Sequence, residues 1–231
     1  MMNETVLDMH YHKPLMDLLR SVFGLGVGGL HFYKYSQQRE SFIGFDQAYA
    51  KTDLSEQDFF RMLREAATSA NYTLADKFLA YFLQFKVVKE MQNLTRSTPA
   101  SIRNRPHYRV GLYTTRTINV GLSQHELLYR LSTNQGAMVY YACPMLFDRA
   151  SLYDVEVDLD ELRLADLTSC PSSYPDNETH FIYWNDKQHR PCGVVSLWKG
   201  RLLRRETWLR RSPRELASFI LRIRRASCCD C

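Results

Sequence analysis

Asp46, Gln84 and Lys86 are the residues of this chain whose types and spacing could do chemistry together. Gln84 and Lys86 stand two apart in FLQFKVVK, residues 82–89, an otherwise apolar run that reads as a buried strand. Residues two apart on a strand share a face. Phe82, Gln84, Lys86 and Val88 therefore point one way, and Leu83, Phe85 and Val87 point the other way, into the core. On an earlier predicted strand Glu40, Phe42, Gly44 and Asp46 share a face if the pairing is regular. Neighbouring strands lie about 4.8 Å apart, so pairing of these two would bring Asp46, Gln84 and Lys86 to one spot.

A carboxylate and an amide oxygen are hard donors suited to Mg²⁺ or Mn²⁺, and the carbonyl of Phe85 could complete the set. An ion held there polarises a phosphoryl oxygen and helps deprotonate a water. A lysine beside it orients that water or stabilises developing charge. A structural alternative stands beside this one. Gly44 marks a bulge, Asp46 opens a turn, and Gln84 with Lys86 forms the wet face of an edge strand.

The elements that must position these residues follow from pattern. Residues 4–22 read as a helix with Leu7, Tyr11, Leu15, Leu18, Leu19 and Val22 on its apolar side and Pro14 splitting or kinking it. Residues 30–36 and 41–50 read as strands separated by a polar turn at QQRE. A helix at about 55–69 is capped by Ser55 with Asp58 and carries Phe59, Leu63 and Ala66 or Ala67 as its stripe. Residues 78–88 return as a strand, and 93–107 form a polar loop. Residues 108–114 are a strand candidate; 123–131 form a helix opened by the capping box Ser123 and Glu126; 137–146 form a strong strand. A polar loop covers 166–178, and 180–184 with 193–198 form a late strand pair. A helix capped by Ser212, Pro213 and Glu215 closes the chain. The expected fold class is α/β, a central mixed sheet flanked by helices. It divides into an α/β domain at 1–198, with a helical insertion at about 52–75, and a basic segment at 199–231 ending in a Cys-rich tail.

The order Asp46, then Gln84-Phe85-Lys86, resembles the D…(D/E/Q)-x-K signature of the PD-(D/E)xK nuclease superfamily, in the Gln form seen in Mrr-like restriction endonucleases. The element order over roughly residues 4–145 is similar to that superfamily's core of helix, three strands, helix and strand. The resemblance implies a restriction-endonuclease-like core and a metal-dependent nuclease, endonuclease or exonuclease. Asp46 and Gln84 would be metal ligands and Lys86 the catalytic cation. It also implies DNA rather than RNA as substrate and, by analogy, a place in bacterial defence. Two features depart from the pattern. The gap from Asp46 to Gln84 is long, and the acid many members carry on the first helix has several candidates in Glu4, Asp8 and Asp17. Asp17 is the best placed of these by its position near the helix end, and Glu40 on the sheet is the other second-tier ligand.

Charge points to a polyanion. Residues 199–225 carry ten Lys and Arg against Glu206 and Glu215, a net +8 in a chain whose total is +5, which leaves −3 for the remainder. Arg204, Arg205, Arg210 and Arg211 are the candidate phosphate grip. The same segment could instead dock the acidic remainder, a protein partner or a second copy, which makes a non-catalytic binding module the competing function class. Trp198 and Trp208 could stack on bases if the substrate is single-stranded, with a core role as the alternative.

Other constellations are weaker. His10 and His12, two apart on a helix, fall on different faces. His125, after Gln124, reads as a surface residue at a helix start, where backbone N–H groups could hold a phosphate. Cys170, His180, His189 and Cys192 match no standard zinc spacing, and Cys228, Cys229 and Cys231 cannot close a tetrahedron alone. GLGVGG lacks G-x-G-x-x-G order, and neither G-x-S-x-G nor G-x-x-x-x-G-K-[ST] occurs. No run reaches 18 apolar residues and no secretory signal is apparent, so the expected setting is a cytoplasm with reduced thiols and no membrane.

Overall fold

The structure, a computed structural model of the 231-residue chain, describes residues 3–23, 25, 29–69, 79–92, 106–116, 120–134, 137–148, 150, 152, 157–175, 178–184, 193–198 and 201–203. The closing helix, the Cys-rich tail and Arg204, Arg205, Arg210, Arg211 and Trp208 lie outside them, as do His189 and Cys192.

A five-stranded mixed sheet forms the centre. Its strands are β1 (His31–Lys34), β2 (Gln47–Lys51), β3 (Leu79–Phe85), β6 (Ala137–Pro144) and β7 (Leu162–Asp166), in the order β1-β2-β3-β6-β7. The first three make an antiparallel meander, β6 runs parallel to β3, and β7 closes the edge antiparallel to β6. The strand carrying Gln84 is thus the middle strand, not an edge. It is buried on both faces, which accounts for its near-continuous apolar sequence.

Helix α1 (Glu4–Phe23) covers one face of this sheet. Leu7, Tyr11, Leu15 and Leu19, four apart, form one buried stripe against Tyr49, Tyr81, Leu83 and Phe85. The helix runs unbroken through Pro14, contrary to the expected split; Pro14 is half-buried. The other face is covered by α2 (Gln37–Ile43), α3 (Glu56–Thr68) and α4 (Gln124–Ser132). Small residues Ala48, Ala50 and Ala80 on the sheet admit Phe59, Met62, Leu63 and Ala66 of α3 and Leu128 and Leu131 of α4, with Phe82 at the centre. Burying a side chain such as Phe82 contributes about 1.5–3 kcal/mol. The caps of α3 and α4 are as the sequence indicates: Ser55 accepts from the Asp58 amide, and Ser123 and Glu126 form a reciprocal box.

One expected strand is corrected. Residues 37–43, including all of QQRE, are helical, and β2 begins only at Gln47. Gly44 ends α2 at φ 86°, its amide donating to the Glu40 carbonyl, so it is a helix C-cap and not a bulge. Glu40 and Phe42 therefore do not share a strand face with Asp46.

A second, antiparallel sheet is built from β4 (Lys89–Met91), β5 (His107–Leu112), β8 (Glu178–Trp184), β9 (Gly193–Trp198) and β10 (Arg201–Leu203), in the order β10-β9-β8-β5-β4. The expected pairing of 180–184 with 193–198 is present, and β10 extends that hairpin. Tyr108, Val110, Leu112, Ile182 and Trp184 on one face join the core beneath α4. Arg109 and Gly111 alternate with them on the other face. Among the described residues no helix is long and apolar enough to cross a membrane.

Candidate functional site

The end of β3 is where the predicted residues converge, by a route different from regular strand pairing. The Gly44 turn delivers Asp46 immediately ahead of β2, with its amide donating to the Leu83 carbonyl at 3.1 Å. Its Oδ2 then accepts from the Phe85 amide at 2.7 Å and from Gln84 Nε2 at 2.6 Å. Gly44 has no room for a side chain. A Cβ there would stand 3.1 Å from both the Gln124 carbonyl oxygen and Leu128 Cγ, and 3.3 Å from Leu127 Cβ. The turn that aims Asp46 is therefore pressed against the start of α4.

Lys86 follows the last residue of β3, yet its amide still donates to the Ala142 carbonyl of β6 at 2.9 Å. Its side chain is 1% exposed. Nζ donates to Gln124 Oε1 at 3.2 Å and to Glu4 Oε1 at 3.4 Å, and it lies 4.2 Å from the centroid of the Tyr113 ring. Gln124 also donates from Nε2 to Gln84 Oε1 at 2.9 Å. One side chain on the first turn of α4 thus links the two residues of the Q-x-K pair.

Burial sets the electrostatics. It raises the Asp46 carboxyl to about 6, with Glu4 adding to the rise and Lys86, the Phe85 amide and Gln84 opposing it. Burial likewise raises Glu40 to about 7, with Asp46 pushing in the same direction. Burial lowers the Lys86 ammonium, and Glu4 and Asp46 act against that. A cation among these groups would relieve the two carboxyls. Perturbation of this kind, in a polar cluster at the end of a central strand, marks a candidate site.

Asp46, Gln84 and Lys86 are brought together; Asp17 is not. It pairs with Lys13 at 2.9 Å and Arg20 at 4.0 Å on the exposed side of α1. At about 1.5 Å rise per residue, it lies about 20 Å along the helix from Glu4. Glu4 is the first-helix acid at this site. Glu40, on α2, feels the charges of Asp46, Asp8 and Glu4. One turn from Glu4, Asp8 is buried and bonded to Lys34, and its Oδ1 has no hydrogen-bond partner. Its carbonyl accepts from Gln47 Nε2, whose Oε1 accepts from Tyr49.

His125 is corrected from a surface cap to a core residue, fully buried. Nε2 lies 2.7 Å from the Pro171 carbonyl, which can only accept, so Nε2 carries the proton and Nδ1 accepts from Tyr141 at 2.8 Å. Burial lowers its pKa to about 4, so it is neutral at pH 7. His180 is buried against Tyr174, whose ring also packs on His125. His12 packs on Phe32 and His10 on Tyr11.

Sequence reading did not single out Gln124 as a partner of Gln84, nor Tyr113. The capping box placed Gln124 at the first turn of α4, but its contacts span 38 and 40 residues of chain. Among the described residues no three His, Cys, Asp or Glu side chains are grouped to hold a metal ion. The donors gathered at β3 are of another kind: one carboxylate, one amide and a backbone carbonyl. They fit a hard cation by type. They fit by orientation once the Gln84 amide turns by half a rotation, because its Nε2, not its oxygen, faces Asp46. Comparison with protein-family models, with curated proteins and with solved structures finds no match to this chain.

Proposed function

We propose that this protein is a metal-dependent nuclease that hydrolyses phosphodiester bonds. The observation that carries the reading is the meeting of Asp46 with Gln84 and Lys86 at the end of β3, from two points of the chain, with Gln124 joining from a third. Two further observations support it. Helix, three antiparallel strands, helix and a strand parallel to the third occur in the order the Asp…Gln-x-Lys resemblance implies. Glu4 supplies an acid from the first helix.

Asp46, Gln84 and the Phe85 carbonyl would hold Mg²⁺ or Mn²⁺, which when bound supplies Lewis acidity toward a phosphoryl oxygen and a water. Lys86 places a buried ammonium beside that position, where low polarity strengthens its pull on developing negative charge. Glu4 opposes the lowering that burial imposes on the Lys86 ammonium. Gln124 aims Lys86 through its oxygen, while the bond from its nitrogen to the Gln84 oxygen is given up when the Gln84 amide turns that oxygen toward the ion. The basic segment with Arg204, Arg205, Arg210 and Arg211 would add sequence-independent phosphate contacts. DNA is the proposed substrate, and bacterial defence the proposed setting, both by analogy.

A second reading is a non-catalytic nucleic-acid or protein-binding module. It is favoured by one detail: the Gln84 amide and the Asp46 carboxylate already bond each other, and the Lys86 ammonium is already held by Glu4 and Gln124. The test is incubation of the full chain with plasmid, linear duplex, single-stranded DNA and RNA, in Mg²⁺, Mn²⁺ or EDTA. We expect cleavage with either ion, none in EDTA, and none from Asp46→Asn. Undiminished cleavage in EDTA removes the metal, and binding without cleavage in any condition selects the module.

A further inference from the structure

We infer that the exposed strip running from Lys89 across Arg109 to Tyr113 on the second sheet is a track for single-stranded nucleic acid leading to Lys86; the inference rests on the nuclease reading and names the form of its substrate. Along β5 the residues Tyr108, Val110 and Leu112 enter the core, while Arg109 and Gly111 face outward, and the alternation continues to Tyr113, which is 60% exposed. Register places Lys89 of β4 directly opposite Arg109 and Phe181 of β8 directly opposite Gly111. Directly opposed residues of antiparallel strands share a face.

The strip therefore holds Lys89, Arg109, Phe181 and Tyr113, two cations and two aromatic rings; it ends at the buried His107 and is bounded on the β8 side by Tyr183, buried directly opposite Arg109. Three features point to a ligand and to its kind. Like charges directly opposite on a sheet destabilise it, yet Lys89 and Arg109 are so placed, and among the described residues neither has an ion pair. An anion resolves that conflict. The Arg109 guanidinium lies 4.6 Å over the Phe181 ring, and its buried Nε has no hydrogen-bond partner. Gly111 leaves the surface between Arg109 and Tyr113 without a side chain; a Cβ there would only just touch Phe181, at 3.9 Å.

Tyr113 joins the strip to the site. One side of its ring receives Lys86 Nζ at 4.2 Å, and its carbonyl accepts from the His125 amide, which fixes it to α4. Four residues of strand separate Arg109 from Tyr113, about 13 Å. Cations alternating with rings bind unpaired strands, whose bases stack and whose phosphates bridge between cations. In a duplex the base faces are already stacked on each other and unavailable to Tyr113.

The experiment compares the full chain with Lys89→Gln/Arg109→Gln, Tyr113→Leu and Tyr113→Phe, each on an Asp46→Asn background for binding and on the active chain for cleavage. Probes are a fluorescein-labelled oligothymidylate, the matching duplex, and a dinucleotide too short to reach the strip. We expect Tyr113→Leu to weaken oligothymidylate binding roughly 5- to 100-fold and Tyr113→Phe to restore it. We expect the double Gln variant to lower the salt slope by about 0.7 per lost contact and to raise KM on the long strand while sparing dinucleotide cleavage. Duplex affinity should move little. If the wild type cleaves single strands and all variants bind them as it does, the track is overturned and the nuclease reading stands. If the wild type neither binds nor cleaves any nucleic acid, both are overturned.

Discussion

The Asp46 carboxylate and the Gln84 amide are hydrogen-bonded at 2.6 Å, with the same carboxylate oxygen accepting the Phe85 amide at 2.7 Å. This pairing decides how Asp46 variants behave. Asp46→Ala strips the Phe85 amide of its partner in a largely buried place, which costs about 1–3 kcal/mol. Asp46→Asn keeps an oxygen for that amide and loses the charge. We expect both to be inactive, Asp46→Asn with near-wild-type melting and Asp46→Ala melting several degrees lower. Activity surviving in Asp46→Asn would remove the carboxylate from the chemistry.

Gln124 is a positioning residue in this scheme. Replacing it with Met keeps the volume and removes both hydrogen bonds, to Gln84 and from Lys86. Loss of such an outer partner typically costs 10- to 100-fold in activity or metal affinity. We expect kcat to fall in that range for Gln124→Met and the Mg²⁺ concentration at half-maximal rate to rise, with little change in melting. A melting loss without a kinetic one would make Gln124 merely structural.

Gly44 and Gly121 both have positive φ, 86° and 66°, but their surroundings differ. A Cβ at Gly121 meets nothing within 4 Å, whereas at Gly44 it meets α4. Each Gly→Ala change carries the left-handed penalty of about 1–2 kcal/mol. We expect Gly44→Ala to cost more than Gly121→Ala and to lower activity as well, because α2 and α4 must part and Asp46 moves with the turn. Equal melting losses and unchanged activity would show that the turn does not aim Asp46.

His125 gives the fold an acid limit. Its ordinary pKa of 6.5 drops to about 4 in the folded chain. Between those values the unfolded chain binds a proton that the native one does not, so stability is lost as pH falls through this window. Asp46 and Glu40 act in the opposite sense. Raised to about 6 and about 7, they contribute stability that is full at low pH and lost as pH rises through those values. Wild-type melting should thus change little across the overlap, while His125→Asn should melt progressively lower with rising pH. A His125 imidazole resonance, assigned by its loss in His125→Asn, that titrates near 6.5 in the folded protein would contradict the buried, neutral assignment.

Much of this was legible locally. Ser55 with Asp58 and Ser123 with Glu126 announced α3 and α4, and the polar pair inside FLQFKVVK announced the polar cluster at the end of β3. Misreading of residues 41–46 came from a contest between two signals. Phe42, Gly44 and Asp46 alternate as a strand would, but Gly44 placed one residue after a run of helix formers is a C-cap, and the cap prevailed. Glu4 and Gln124 were beyond local reach, since Lys86 meets them across 82 and 38 residues. No periodicity reports a contact of that range. The edge strand β7, in LRLAD, was hidden by its brevity and by the charges at Arg163 and Asp166.

The parallel pairing of β3 with β6 has a consequence for when the site comes into being. The β1-β2-β3 meander pairs residues at most 36 apart (Gln47 with Leu83), whereas β6 pairs with β3 across 57 residues (Ala80 with Ala137), after the chain has passed through β4, β5 and α4. Closing such a loop precedes any gain from the contacts it allows, so this is a slow step of folding. On a growing chain Asp46 and Gln84 can meet early, but Lys86 lacks the Ala142 carbonyl and the Gln124 oxygen until those residues have been made. Whatever chemistry the group performs is therefore withheld during synthesis, and a fragment cut ahead of α4 holds the acid and the amide without their cation in place.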